Sequence, residues 1–163
     1  MRQSAGPPFA DARRRRTGRS QNPHFNPLQP RGGNGRWIPT GQRIEETARS
    51  AGLNLVLHTE FGKVRSPANL SKILGHDVRG FRHSVSNQAI QHMRKRHPEL
   101  TPQDWGRLPV IVRTGSAALS DVTGVNGAPR LVYRAVIDGQ RYEYVAEYRR
   151  RARRLDAITL YRL

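Results

Sequence analysis

Three of the six histidines lie in one short segment, residues 82–98, which reads RHSVSNQAIQHMRKRHP. Imidazoles exchange protons near neutral pH, and the guanidinium groups beside them can neutralise an anion. This combination favours acid/base chemistry on a negatively charged substrate. His92 and His97 are the candidate acid and base, and the sequence leaves open which of the two has which role.

The same segment predicts a helix that begins near Asn87, because Ser86 is a typical N-cap residue. Helical periodicity puts His92 and Arg96 one turn apart at the edge of an apolar stripe. The proline that follows His97 disfavours helical geometry there, so this histidine lies at the helix end. The predicted helix therefore presents both imidazoles at the border of a buried face.

The chain is strongly basic: 29 Lys and Arg stand against 12 Asp and Glu, a net charge of +17, and only three of the cations are lysines. Arginine suits bidentate contacts with phosphate, so nucleic acid is the favoured partner class. The alternatives are a solvated basic surface or attraction to a membrane surface. No amphipathic basic helix with an apolar inserting face is found, so we expect no membrane insertion.

Residues 1–36 are rich in Pro, Gly, Asn, Ser and Arg, with eight Arg against one Asp. They contain too little apolar surface to form a core, which predicts a disordered basic leader or linker. It could bind nucleic acid or be a spacer from a larger polypeptide. We expect residues 37–163 to form one domain.

Hydrophobic periodicity and turn signals predict helices before strands. Helices are expected at 40–52, at 66–75, in the histidine segment and from residue 101. Residues 53–57 suit a strand or a buried turn, and 109–113 a short strand followed by a loop at 114–129. Residues 130–148 predict a hairpin about an Asp-Gly turn, and 155–163 a last strand. This order indicates an α+β fold, with helices packed on an antiparallel sheet of about four strands.

The histidine segment, the LPVIV run, the Tyr-rich hairpin and the terminal ITLYRL together resemble the phage-type branch of the barnase/EndoU/colicin/RelE-like nuclease superfamily. The resemblance covers residues 58–163. It implies a metal-independent endoribonuclease toxin that needs no cofactor and cleaves tRNA, mRNA or rRNA through attack by the 2′-hydroxyl. Barnase-like members use a carboxylate as base, so a histidine pair is a departure from that pattern.

Such cleavage needs a base, an acid and cations around the phosphorane. The candidate catalytic residues are His92, His97, Arg96, Thr159, Tyr161 and His83. The candidate substrate-binding residues are Lys95, Arg134, Arg149, Arg150, Arg151, Arg153, Arg154 and Tyr148. Several have ordinary alternatives: His97 as a helix cap, Lys95 as a solvated charge, the tyrosines of the hairpin as sheet core, and the arginines at 149–154 as a solvated turn.

No metal is expected, because the chain has no cysteine and His58 and His76 lack the spacing of metal ligands. Two other functions compete with RNA cleavage: a non-catalytic RNA- or DNA-binding protein, and an ADP-ribosylating toxin. The toxin interpretation predicts a monomer, delivered as a secreted effector to a target-cell cytoplasm in bacterial competition. It also predicts an acidic immunity protein or antitoxin that covers the basic cleft.

Overall fold

The computed structural model describes residues 40–163, so the predicted leader lies outside the described residues. Within them the fold is α+β, with a six-stranded, mostly antiparallel sheet. The helices are α1 (Thr40–Arg49), α2 (Pro67–Leu74), α3 (Asn87–Arg96), α4 (Pro102–Gly106) and α5 (Leu108–Thr114). The strands are β1 (His58–Lys63), β2 (Arg82–Ser86), β3 (Ser116–Leu119), β4 (Arg130–Ile137), β5 (Gln140–Arg149) and β6 (Arg154–Arg162).

The strand order is β1-β2-β6-β5-β4-β3. Neighbouring strands are antiparallel except β2 and β6, which run parallel. The expected count of about four strands was too low, because β1, β2 and β3 are short and carry little alternation of apolar and polar residues. The strand β6 therefore lies inside the sheet, where it joins the pair β1–β2 to the meander β3–β4–β5.

Aromatic rings fill one face of this sheet. Phe61 on β1 contacts both His83 on β2 and Tyr144 on β5, with ring centroids 5.7 and 6.3 Å apart. Three strand spacings separate β1 from β5, about 14 Å in a flat sheet, so the sheet curves and the rings lean inward. Helices and strands contribute to the same buried core, whose helical members include Ile44, Ile90, Trp105, Leu108 and Ile111.

Local signals in the sequence fix several of these elements as predicted. The Ser86 hydroxyl accepts a hydrogen bond from the Ala89 amide at 3.0 Å and caps α3. Asp138 and Gly139 both have positive φ, 51° and 77°, as a type I′ turn between β4 and β5 requires. The tyrosines of β5 at 142, 144 and 148 are buried, which confirms their interpretation as core.

The prediction of a strand at 109–113 was wrong, because these residues belong to α5. The helix follows α4 directly, with Pro109 in its first turn. Leu108 and Ile111 are fully buried and lie about one turn apart, so they share one face of the helix, whereas a strand would put them on opposite faces. A short β-branched run does not distinguish the two structures by composition.

Residues 53–57 were expected to form a strand or a buried turn, and they form neither. The side chains of Leu55 and Val56 are exposed, at 65% and 44%. The buried side chain of Asn87 holds the segment instead, since its amide donates to the Leu55 carbonyl at 2.8 Å and its oxygen accepts from the Leu57 amide at 3.0 Å. Apolar composition alone did not predict this tethering by a polar side chain.

None of the helices in residues 40–163 has the length and apolar character needed to cross a bilayer.

Candidate functional site on the polar face of the sheet

One row of polar residues crosses the sheet on the face opposite the aromatic rings. Glu60 pairs with Ser84, Ser84 with Asp156, Asp156 with Glu147, and Glu147 with Arg130. Directly paired residues point to the same face, so five strands contribute to one line of side chains. We call these five residues the polar row and the side of the sheet that carries them the polar face.

A second row lies two residues further along the strands and therefore on the same face. Arg82 pairs with Arg154, and Arg154 with Arg149. The two rows interlock, because Arg149 Nη2 lies 2.8 Å from Glu147 Oε1 and Arg154 Nε lies 3.1 Å from Asp156 Oδ1. The polar face thus aligns carboxylates beside guanidinium groups that remain partly accessible to solvent.

Glu147 anchors this arrangement. Its side chain is 1% exposed, and its Oε2 accepts hydrogen bonds from Arg130 Nε at 2.8 Å, with Arg130 Nη2 at 2.7 Å. The loop between β3 and β4 covers it, since a Cβ on Gly124 would overlap the carboxylate. A burial this complete makes Glu147 a positioning residue for Arg130 and Arg149, and not a group that substrate reaches.

Asp156 is more accessible, and its charge acts on a histidine of β1. Ser84 Oγ donates to Asp156 Oδ1 at 2.5 Å, which fixes one carboxylate oxygen. His58, at the start of β1, is exposed. Partial burial and the positive charge of Arg154 lower the pKa of His58, while the negative charge of Asp156 opposes the shift. The imidazole is therefore neutral at pH 7 and able to accept a proton, with a carboxylate nearby to stabilise the cation that forms.

The helix α3 forms a second polar cluster at the other end of the sheet. The rings of His97 and Tyr161 meet edge to face at 4.7 Å, and His97 Nδ1 lies 3.5 Å from Glu99 Oε1. Tyr161 shares a row with Glu143 and Arg134, which form an ion pair at 2.8 Å. The structure therefore brings together His97 and Tyr161 as the sequence suggested, on the face that also carries Thr159.

The remaining predicted residues of α3 do not join this cluster through polar contacts. His92, Lys95 and Arg96 are exposed. Within residues 40–163 their side chains take part in no hydrogen bond and no ion pair. The histidine pair expected from the sequence is thus split between an exposed helix face and a helix end.

His83 lies in neither cluster. It is 1% exposed on β2, and its ring packs against Phe61 and, at 5.4 Å, against Tyr133. Burial lowers the pKa of His83 to about 3, so the imidazole is neutral at pH 7. Its Nδ1 has no hydrogen-bond partner within residues 40–163. His83 is a core residue on the aromatic face, remote from solvent.

The arginine cluster at 149–154 is divided by the turn between β5 and β6. Arg149 and Arg154 belong to the polar face, whereas Arg150, Arg151 and Arg153 lie in the exposed turn. Tyr148, a predicted substrate contact, is 8% exposed and stacks on Phe81 at 5.4 Å. The five arginines therefore lie on two surfaces, the polar face and the exposed turn.

Sequence reasoning missed His58, Ser84, Glu147 and Asp156 as site residues. One signal was available: Glu147 and Asp156 are carboxylates inside strands, where such residues are depleted, in a chain with few acidic residues. This signal identifies a site only when the strand order is known. The position of β6 between β2 and β5 brings residues that are far apart in sequence into one row.

Family models, curated proteins and solved structures contain no match to this chain. No group of three or more acidic, histidine or cysteine side chains in residues 40–163 is placed to hold a metal ion.

Proposed function

We propose that the protein is a metal-independent endoribonuclease whose active site is the part of the polar face around His58. The observation that carries the proposal is that Arg154 and Asp156 act electrostatically on an exposed, neutral imidazole on the same side of the sheet, with Arg149 beside Asp156. An RNA phosphodiester needs this set: a proton acceptor, and cations for the charge that develops on phosphorus.

In the proposed step, His58 removes the proton from the 2′-hydroxyl, and the 2′-oxygen attacks the adjacent phosphorus. The bond from phosphorus to the 5′-oxygen breaks, which leaves a 2′,3′-cyclic phosphate and a 5′-hydroxyl. Water at this open surface supplies the proton to the leaving oxygen. Arg154 stabilises the phosphorane, and Asp156 stabilises the imidazolium that forms on His58.

The site around His58 and the cluster at His97 cannot act on one phosphate. His58 pairs with Ser86 at the start of α3, and the ten residues of α3 then separate Ser86 from His97. At the rise of an α-helix this is about 15 Å. We place catalysis at His58, because the charges of Arg154 and Asp156 act on its imidazole, and keep His97 with Tyr161 as the alternative site that the sequence favours.

The test is cleavage of total RNA by the purified protein with and without EDTA, with the fragment ends sequenced. We expect discrete ends carrying 2′,3′-cyclic phosphate, equal activity in EDTA, and a loss of at least 100-fold in His58→Ala, the lower range for general acid–base catalysis. His97→Ala is the matched control and should cleave nearly as wild type. Loss of cleavage in His97→Ala alone would move the site to α3.

RNA binding should survive in His58→Ala, because binding depends on the cations and not on a titrating group. A wild-type protein that binds RNA but leaves it intact would support a non-catalytic binding protein instead. Transfer of label from NAD to a target would support the ADP-ribosylating alternative.

We also propose that the protein belongs to the phage-type nuclease branch, with its helices packed on one face of the sheet. In this proposal it acts as a toxin that is delivered to a target cell. The support for this proposal is the resemblance in residues 58–163 together with the net charge of +17. An acidic immunity protein or antitoxin is the expected partner, since it would complement the arginines of the polar face.

A further inference from the structure

We propose that the cleft beside the β5–β6 turn is a nucleobase-binding subsite for single-stranded RNA, distinct from the polar face. The inference rests on the proposed function for the class of ligand. It starts from three aromatic rings: Tyr148 stacks on His76 at 4.9 Å and 8°, and on Phe81 at 5.4 Å and 4°. Such nearly parallel stacking on two partners builds a platform from residues 76–81 and β5.

The platform ends in an exposed ring. Tyr148 and Phe81 are buried, whereas His76 is exposed, so the imidazole covers the stack at the surface. An exposed imidazole held flat by the tyrosine beneath it can receive another planar ring. Stacking on aromatic side chains and on histidine is how proteins bind unpaired bases.

Cations surround this surface. Arg79, Arg150 and Arg153 line an open cleft of about 370 Å³ together with His76 and Asp77, and Asp77 forms an ion pair with Arg79 at 2.9 Å. Arg153 is held there, because its Nη2 donates to the Arg79 carbonyl at 3.0 Å and its backbone adopts a left-handed φ of 50°. A base on His76 would thus lie beside Arg150 and Arg153, whose guanidinium groups can contact its phosphates.

The cleft and the polar face are joined by the turn between β5 and β6. Arg149 and Arg154 end the two strands on the polar face, and Arg150 and Arg153, their neighbours in sequence, line the cleft. A strand of RNA can therefore follow the arginines around the turn from the reacting phosphate to the stacked base. The subsite would select unpaired RNA near the cut.

The experiment measures binding of a short fluorescent RNA by anisotropy, in the full chain carrying His58→Ala so that the probe stays intact. His76→Ala should weaken binding about 30-fold, the middle of the range for one stacked base. His76→Phe keeps a ring and should bind within about twofold of the parent, since stacking tolerates any π-face. Both changes lie at an exposed side chain, and equal thermal unfolding will verify that the fold is intact.

Two controls separate stacking from charge. A fully abasic strand of the same length should show no effect of His76→Ala. Arg150→Ala should weaken binding of intact RNA more than Arg113→Ala, which removes one charge from the exposed end of α5. Unchanged binding by His76→Ala, or equal loss with the abasic strand, would overturn the subsite. If the wild-type protein does not cleave RNA and binding still depends on His76, the proposed nuclease activity is refuted and the nucleobase subsite is kept.

Discussion

The buried His83 should make the protein sensitive to mild acid. The folded state holds this imidazole neutral, with a pKa of about 3, while an unfolded chain gives histidine its ordinary value of 6.5. Well above pH 6.5 neither state is protonated, and the histidine has no effect. As pH falls below 6.5 only the unfolded state gains the proton, so the free energy of unfolding decreases until about pH 3. Linkage gives a loss of about 2 kcal/mol between pH 7.5 and 5 from this residue alone.

The measurement is urea unfolding at pH 7.5 and pH 5, followed by the fluorescence of the buried Trp105. His83→Phe and His83→Asn differ in shape and polarity, so their absolute stabilities will differ from wild type and from each other. Neither replacement side chain titrates in this interval. Between pH 7.5 and pH 5 the free energy of unfolding of each variant should therefore fall by about 2 kcal/mol less than that of the wild type. Variants that keep the full acid dependence of the wild type would refute the assignment of a neutral core histidine.

Two further predictions concern the anchor of the polar face. Glu147→Gln should lower the free energy of unfolding by about 3 kcal/mol, measured with heat or urea, because it leaves Arg130 without a buried counter-charge. Glu60→Gln is the control: Glu60 belongs to an exposed ion pair, so its loss should cost less than about 1 kcal/mol. Equal losses in the two variants would contradict this ranking. Gly124→Ala should destabilise by about 1–3 kcal/mol through overlap with Glu147, and Gly62→Ala, which meets no atom within 4 Å, is its control. A Gly124→Ala protein as stable as this control would show that the loop is free to move away.

The sequence predicted those elements that local chemistry determines. The N-cap at Ser86, the Asp138-Gly139 turn and the buried tyrosines of β5 follow from residue types a few positions apart. The α+β class followed from their order. The helix α5 was missed because its burial depends on neighbours distant in sequence, which a short apolar run does not reveal.

The site was less predictable than the fold. Proximity in sequence suggested that His92 and His97 work together, yet the structure leaves His92 exposed and puts His97 against Tyr161. The side chains that do converge, such as Ser84 and Asp156, lie 72 residues apart in the sequence. Only strand pairing brings them together, and single-sequence patterns carry no information on which strands pair.

The position of β6 also has a consequence for how the domain assembles. The strand pair β1–β2 and the meander β3–β4–β5 each join strands that are close in sequence. The pairing of β2 with β6, in contrast, joins residues about half the chain apart. Contacts of long sequence separation form late and slow folding. Ser84, Asp156 and Glu147 become one row only when β6 docks, so a partly folded chain would carry no assembled polar row. The chemistry proposed for this face would therefore appear together with the completed sheet.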